Sequence, residues 1–279
     1  MDGHFCAFSF VDRILAVEPG KSIRGTYRIP DGIKEFPTSL VPEAVGQLAA
    51  WSAMAALDFK VRPVAGLAGR IELMSDVRPG QSLELAVEIQ TAEMDAVAYG
   101  GTAQVDGKPV VRLENCVGPM MPLEEFDDAK AVRERFDLLC NGGATPGGFN
   151  GVPEFEIEYV QGETADRKSA LLRVPESAPF FADHFPRRPV FPGTLLMHMN
   201  LQLAAALAAE NPPDVTGGRW RLDSVSNVKL RAFTPPGEFL DLQARIGERT
   251  DGAIEIVVET RNGNRLVGGA QTHFTLEAQ

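Results

Sequence analysis

The chain has 279 residues, 44% hydrophobic and 23% charged, a balance too apolar for intrinsic disorder and a length that suits two domains. Its 38 acidic against 27 basic residues leave a formal charge of −11, which repels phosphate backbones and anionic membranes and sets nucleic acid aside as a partner. No run approaches the roughly 18 consecutive apolar residues of a membrane span, and the start MDGHFCAFSF lacks a signal peptide's pattern, so a cytoplasmic chain is expected.

In chain order, residues 8–15 (FSFVDRIL) read as a strand, and a second strand ends at Pro30. Six residues, DGIKEF, lead to Pro37 and an Ala-rich apolar stretch long enough to be a buried helix. Residues 71–89 (IELMSDVRPGQSLELAVEI) form two alternating strands about Pro79-Gly80, and VDGKPVV carries Asp106-Gly107, a type I′ hairpin signal. Residues 123–140 have helical periodicity with mixed charge and precede the glycine-rich NGGATPGGFNG. The first order of elements then recurs. FEIEYV and a strand ending at Pro175 precede a helix opening at Pro192; VKLRAFTPPGEFLDLQARI (228–246) lies over 71–89, and TRNGNRLV carries Asn262-Gly263. The offsets are 155 at the helices, 157 at the Pro-Gly strands and 156 at the hairpins, so the chain reads as a tandem duplication. The units predicted are residues 1–120, a linker at 121–152, and residues 153–279. A helix apolar nearly all round needs wrapping, and a curved antiparallel sheet supplies it, which makes each unit α+β.

The copies differ ahead of the helix. The second has sixteen residues, ESAPFFADHFPRRPVF, where the first has six, and the addition contains His184. At the matching position inside the helices stand Glu43 and His198. The run His184-Phe-Pro-Arg-Arg-Pro189-Val-Phe-Pro192-Gly193 resembles the H-F-P-x-x-P-x-x-P-G motif of the β-hydroxyacyl-acyl-carrier-protein dehydratases, which are hotdog-fold proteins. The resemblance spans most of residues 155–275, with Gln202 and the Pro-Pro-Gly237 strand entry; residues 5–118 share it without the histidine loop. It implies a double hotdog, two units paired across a continuous sheet as a pseudo-dimer, with each site taking its histidine from one unit and its acid from the other. The family's acid sits fourteen positions after the histidine, where this chain has His198. Glu43 fills the equivalent position in the other copy, so one composite site of His184 and Glu43 is expected, facing a mirror site that lacks both. Fusion permits such asymmetry, which a homodimer does not.

The resemblance implies dehydration of 3-hydroxyacyl thioesters to trans-2-enoyl thioesters, or the reverse hydration. His184 then takes the α-proton, and a buried, protonated Glu43 serves the departing hydroxyl, oriented by Gln47 one turn on. The Gly193 N–H, opening the second helix, faces the developing oxyanion. Gln47, Phe185, Phe191, Pro192 and Leu195 are the expected substrate-binding residues, with Phe180 and Phe181 as further candidates for an acyl tunnel. Arg187, Arg188, Lys229 and Arg231 are candidates for docking an acidic acyl carrier protein. His198 reads as a packing residue of a dead site, or as a second acid/base group beside His184; His4 and His273 carry no motif. No cofactor is required and no metal-ligand spacing is visible; Cys6, Cys116 and Cys140 lie far apart, which suggests neither a disulfide framework nor a zinc site. A hotdog thioesterase and a non-catalytic acyl or carrier-binding module are the competing readings, and further association of whole chains is left open.

Overall fold

The computed structural model describes residues 4–145 and 148–277; Pro146 and Gly147 of the glycine-rich connector lie outside the described residues. The first half runs β1 (Arg13–Glu18), β2 (Ser22–Arg28), α1 (Val41–Ala56), β3 (Val61–Pro63), β4 (Leu67–Leu73), β5 (Ser82–Ala92), β6 (Ala96–Val105) and β7 (Lys108–Pro122). Helix α2 (Ala129–Asn141) connects it to β8 (Glu156–Tyr159), β9 (Arg167–Arg173), α3 (Gly193–Glu210), β10 (Arg219–Leu230), β11 (Phe239–Arg249), β12 (Ala253–Asn262) and β13 (Arg265–Glu277).

The strands alternate because one face covers a helix and the other meets solvent. In β5, Leu83, Leu85 and Val87 are buried; 157 residues later in β11, Leu240, Leu242 and Ala244 are buried in the same way. The turns repeat too: Gly80 and Gly237, each after a proline, share a φ of +81°, a left-handed conformation that glycine adopts without steric cost. Asp106 and Gly107 both have positive φ, as the type I′ hairpin requires. Helix α1 opens after a short 3₁₀ turn (Thr38–Leu40) with Pro42 in its first turn and no side-chain cap. Helix α3 is buried on nearly all sides; among its polar residues Asn200 is satisfied by the Leu196 carbonyl and Thr260.

The sheet is continuous, in the order β1-β2-β5-β6-β7-β4-β10-β13-β12-β11-β9-β8, with β3 on β7. The second half repeats the first in reverse, and the halves join where β4 pairs antiparallel with β10. That register is self-consistent under exchange of the halves. Ile71 opposes Val225 and Ala68 opposes Val228, and the offset of 157 converts one pair into the other. This is the double hotdog, α+β, that the motif implies.

One element departs from the expected pattern. Residues 8–12 are not part of β1, which starts at Arg13. The Phe8 and Phe10 amides bond instead to the side chains of Asp183 and Gln47, and the Phe10 ring enters a cluster with Tyr27, Phe36 and Phe149. Alternation in FSFVDRIL therefore reflects burial of Phe10 within its own half and the connector, and of Phe8 against Phe180 of the other half, as well as strand pairing.

Leu48, fully buried in α1, has little room to collapse around if truncated. Leu48→Ala is expected to cost about 2–5 kcal/mol, read as a lower denaturant midpoint with unchanged slope.

Candidate active site

The β4–β10 junction brings the opening turns of α1 and α3 together, and two side-chain contacts cross between the halves there. Thr194 Oγ1 donates to Glu43 Oε2 at 2.8 Å. Ser39 Oγ lies 2.8 Å from His198 Nδ1. Each member of one pair is 155 residues from its counterpart in the other, so these are the same contact made twice about the pseudo-twofold axis, with glutamate on one side and histidine on the other.

On the Glu43 side lies a cavity of about 250 Å³ whose wall includes both His184 and Glu43. The sixteen-residue segment folds over it as a one-turn 3₁₀ helix (Pro179–Ala182) and a tight loop in which Phe185 takes a φ of +68°. His184 Nδ1 lies 3.1 Å from the Val190 carbonyl, which can only accept. Nδ1 therefore carries the proton, and the neutral ring presents Nε2 as a base. Burial pushes the His184 pKa down to about 4, the Val190 carbonyl opposes this, and the charge of Arg62 adds to it. The same burial raises Glu43, against the lowering effects of its bonds to Gln47 and Thr194 and of the Arg62 charge. One wall thus holds a neutral imidazole and a carboxyl disposed to keep its proton, a pair suited to acid/base chemistry.

Gly193 also lines this cavity. A Cβ there would come within 2.3 Å of Leu230 Cδ1, so the absence of a side chain allows Leu230 to pack against the helix start. The Leu196 amide makes a helical bond to the Pro192 carbonyl, so the amides of Gly193, Thr194 and Leu195 precede it at the electropositive end of α3.

Other expected site residues are placed differently. Gln47 is fully engaged: its Nε2 donates to Glu43 Oε1 and the Phe8 carbonyl, both at 2.9 Å, and its Oε1 accepts from the Phe10 amide at 2.7 Å. It orients Glu43 and anchors the N-terminal segment. Phe185 and Phe191 are on the cavity wall, but Leu195 and Pro192 are buried away from it, and Thr194 and Leu196 take the lining positions of α3. Phe180 and Phe181 pack against each other behind the wall. Arg187 donates to the Glu124 carbonyl and to Asp128, while Arg188 pairs with Glu125 and stacks over Phe126 and Phe233. These two arginines hold the histidine loop to the connector. Lys229 and Arg231 are exposed. His198 lies in a separate cavity of about 390 Å³ with Ser39, Asp76 and Gln202, and does not share a wall with His184. His4 is near Asp127, and His273 is on the sheet beside Ser226.

Several wall residues carry no motif. Asp183, next to His184, accepts the Cys6 and Phe8 amides at 3.1 and 2.6 Å. The N-terminal segment is therefore clasped by Asp183 on one side and Gln47 on the other, each adjacent to or one turn from a candidate catalytic group. Helix α2, expected to be a plain spacer, lines the cavity through Val132, Arg135 and Leu139, because its apolar face packs against Trp51 and Phe59. Among the described residues no group of three His, Cys, Asp or Glu is placed to hold a metal ion, and no helix is long and apolar enough to cross a membrane.

Residues 160–269 match the family model of the ApeI-like ApeI dehydratases. Over 81 residues, 29% of this chain, the sequence is 32% identical to the 3-hydroxyacyl-acyl-carrier-protein dehydratase FabZ of Rickettsia typhi. The second half is thus similar in sequence to hotdog dehydratases. The match covers 56% of that relative, so the chain spans about half the length of the curated relatives it resembles. Structural likeness extends over both halves. A protein assigned as an oleoyl thioesterase from Lactobacillus plantarum superposes with a TM-score of 0.60 at 10% identity, covering 92% of this chain and 97% of its own. A hotdog protein of unknown function from Alicyclobacillus acidocaldarius gives a TM-score of 0.51 at 11% identity and 98% coverage of both. These two share the fold; the dehydratase motif is carried by the second half, and the acid facing it by the first.

Asp183→Ala removes the acceptor of two backbone amides. Hydrogen exchange is expected to accelerate at Cys6 and Phe8 and to leave the Leu83 and Leu240 amides of the sheet unchanged.

Proposed function

We propose that the chain dehydrates 3-hydroxyacyl thioesters to trans-2-enoyl thioesters, and hydrates them in reverse, at the one cavity that His184 and Glu43 share. The observation that carries this is the composition of that wall: an imidazole with Nδ1 tied to a carbonyl from the second half, and a buried carboxyl bonded across the junction from the first. His184 Nε2 takes the α-proton, and the electron pair moves into the C1–C2 bond, placing charge on the thioester oxygen near the Gly193 amide. The oxygen's charge then returns, C2 and C3 form the double bond, and the hydroxyl leaves as water with the proton of Glu43. Proton return from His184 to Glu43 resets the site. The acyl chain occupies the apolar part of the cavity between Phe185, Phe191, Leu196, Trp51 and Leu139.

The proposed carrier is acyl carrier protein. Its acidic face would meet Lys229 and Arg231, the two candidate cations not engaged in holding the loop. A thioesterase reading is favoured by the oleoyl thioesterase that shares the fold. It requires water activated by a carboxylate that has lost its proton, and the raised pKa of Glu43 weighs against that.

With a 3-hydroxyacyl thioester, conjugated enoyl thioester is expected to form without thiol release; thiol release without enoyl formation would establish the thioesterase instead. His184→Ala and Glu43→Gln are each expected to lower turnover by about 10²–10⁴-fold, with His198→Ala within about twofold of the parent. The pH profile follows from the same groups. Activity should rise with pH as His184 loses its proton near pH 4, and fall when Glu43 ionises, above the ordinary carboxylate range.

A further inference from the structure

The cavity wall holds a charged group that this acid/base pair does not use. Arg62, on the short strand β3, is 16% exposed in its side chain. Its guanidinium lies 4.3 Å above the Phe185 ring, and one terminal nitrogen reaches Asp127 at 3.4 Å, a long contact for an ion pair. Its Nε is buried without a hydrogen-bond partner. A cation taken out of water with one distant counter-ion and an unused donor is costly to a fold.

The pseudo-symmetry supplies a control. Arg62 is paired on the sheet with Met121; in the second half the corresponding pair, at offsets of 157 and 156, is Arg219 with Glu277. Arg219 is 78% exposed and simply bonds to Glu277. The same backbone position is thus a surface arginine on one side and a buried one on the other. What buries Arg62 is Phe185 of the histidine loop and Asp127 of the connector, and the first half has no histidine loop to cover Arg219 in the same way. The other charged groups of the wall have partners. Asp127 also takes the Asp128 amide and faces His4, Asp183 takes the Cys6 and Phe8 amides, and Arg135 donates to the Phe5 carbonyl. The groups that feel the Arg62 charge are Asp127, Glu43 and His184.

We propose that Arg62 is a further catalytic residue of this cavity, setting a fixed positive charge against the thioester oxygen that becomes negative when His184 takes the α-proton. The inference rests on the dehydratase reading. Arg62 transfers no proton: burial lowers its pKa only to about 10, with Asp127 holding it up, so it stays charged throughout turnover. Its role is electrostatic stabilisation, from the wall of the cavity that Gly193 also lines.

The test compares the full chain with Arg62→Met, Arg62→Lys and His184→Ala, following enoyl thioester formation across pH. Arg62→Met is expected to lose about 10²–10³-fold in kcat with KM changed less than about threefold, and Arg62→Lys to recover part of the loss. Both limbs of the pH profile should move to higher pH in Arg62→Met, because removing the positive charge makes His184 easier to protonate and Glu43 harder to ionise. Arg62→Met with the parent's kcat and unmoved limbs, in a chain whose His184→Ala form is dead, overturns the inference and leaves the reaction standing. A lowered Tm with unmoved limbs also overturns it, since that is the mark of a purely structural arginine. No enoyl formation by the parent overturns the reading and the inference together.

Discussion

Everything in this molecule follows from the antiparallel pairing of β4 with β10. Hydrogen bonds between those two strands convert a pair of helix-in-sheet units into one sheet, and the helices inside must then meet at their opening turns. Neither half has a site alone. The first has the carboxyl without a histidine loop, and the second has the loop with His198 at the helical position. The junction register, invariant to exchange of the halves, places Glu43 against Thr194 and so brings the carboxyl of the first half to the cavity that His184 of the second half lines.

The pseudo-twofold axis makes the chemistry readable by difference. The contact at the helix starts is conserved in geometry but not in charge: Thr194 meets Glu43 on one side and Ser39 meets His198 on the other. On the first side a loop, a connector helix and an N-terminal segment have been gathered over the cavity, and with them Arg62, Asp127 and Asp183 are drawn out of solvent. Each of these is a group whose charged form is costly to bury. On the second side Arg219, the counterpart of Arg62, stays exposed, and His198 lines a separate cavity with Ser39 and Asp76. A fold that concentrates its electrostatic cost on one of two equivalent places marks that place as the candidate site.

Much of this was legible before any coordinates. The offsets of 155 to 157 carry the strand pairs, the Pro-Gly turns and the hairpins directly, because local turn chemistry and alternation decide them. The same alignment carries Glu43 to the helical position facing the histidine loop, since a repeat maps position onto position. What sequence reasoning missed depends on contacts between distant segments. Arg62 sits in a three-residue strand with no periodicity to mark it. Asp183 reads as one more loop carboxylate until residues 6–8 lie across it. Leu195 and Leu196 are indistinguishable as letters, and only the packing of α3 decides which one faces the cavity. The segment at residues 8–12 alternates like a strand because Phe8, against Phe180, and Phe10, against Tyr27, Phe36 and Phe149, are buried with the same period. Arg187 and Arg188 look like free surface charge, and the acidic connector that occupies them lies some sixty residues earlier.

The clasp on the N-terminal segment also orders assembly in time. Phe8 bonds to a side chain 175 positions further along, and Asp183 leaves the ribosome only after the whole first half has been made. Until then residues 6–10 have no partner for their amides except water and Gln47, and the first hotdog stands with its aromatic edge uncovered. The cavity can therefore close only once the histidine loop of the second half has been made, and the first hotdog by itself lacks that part of its wall.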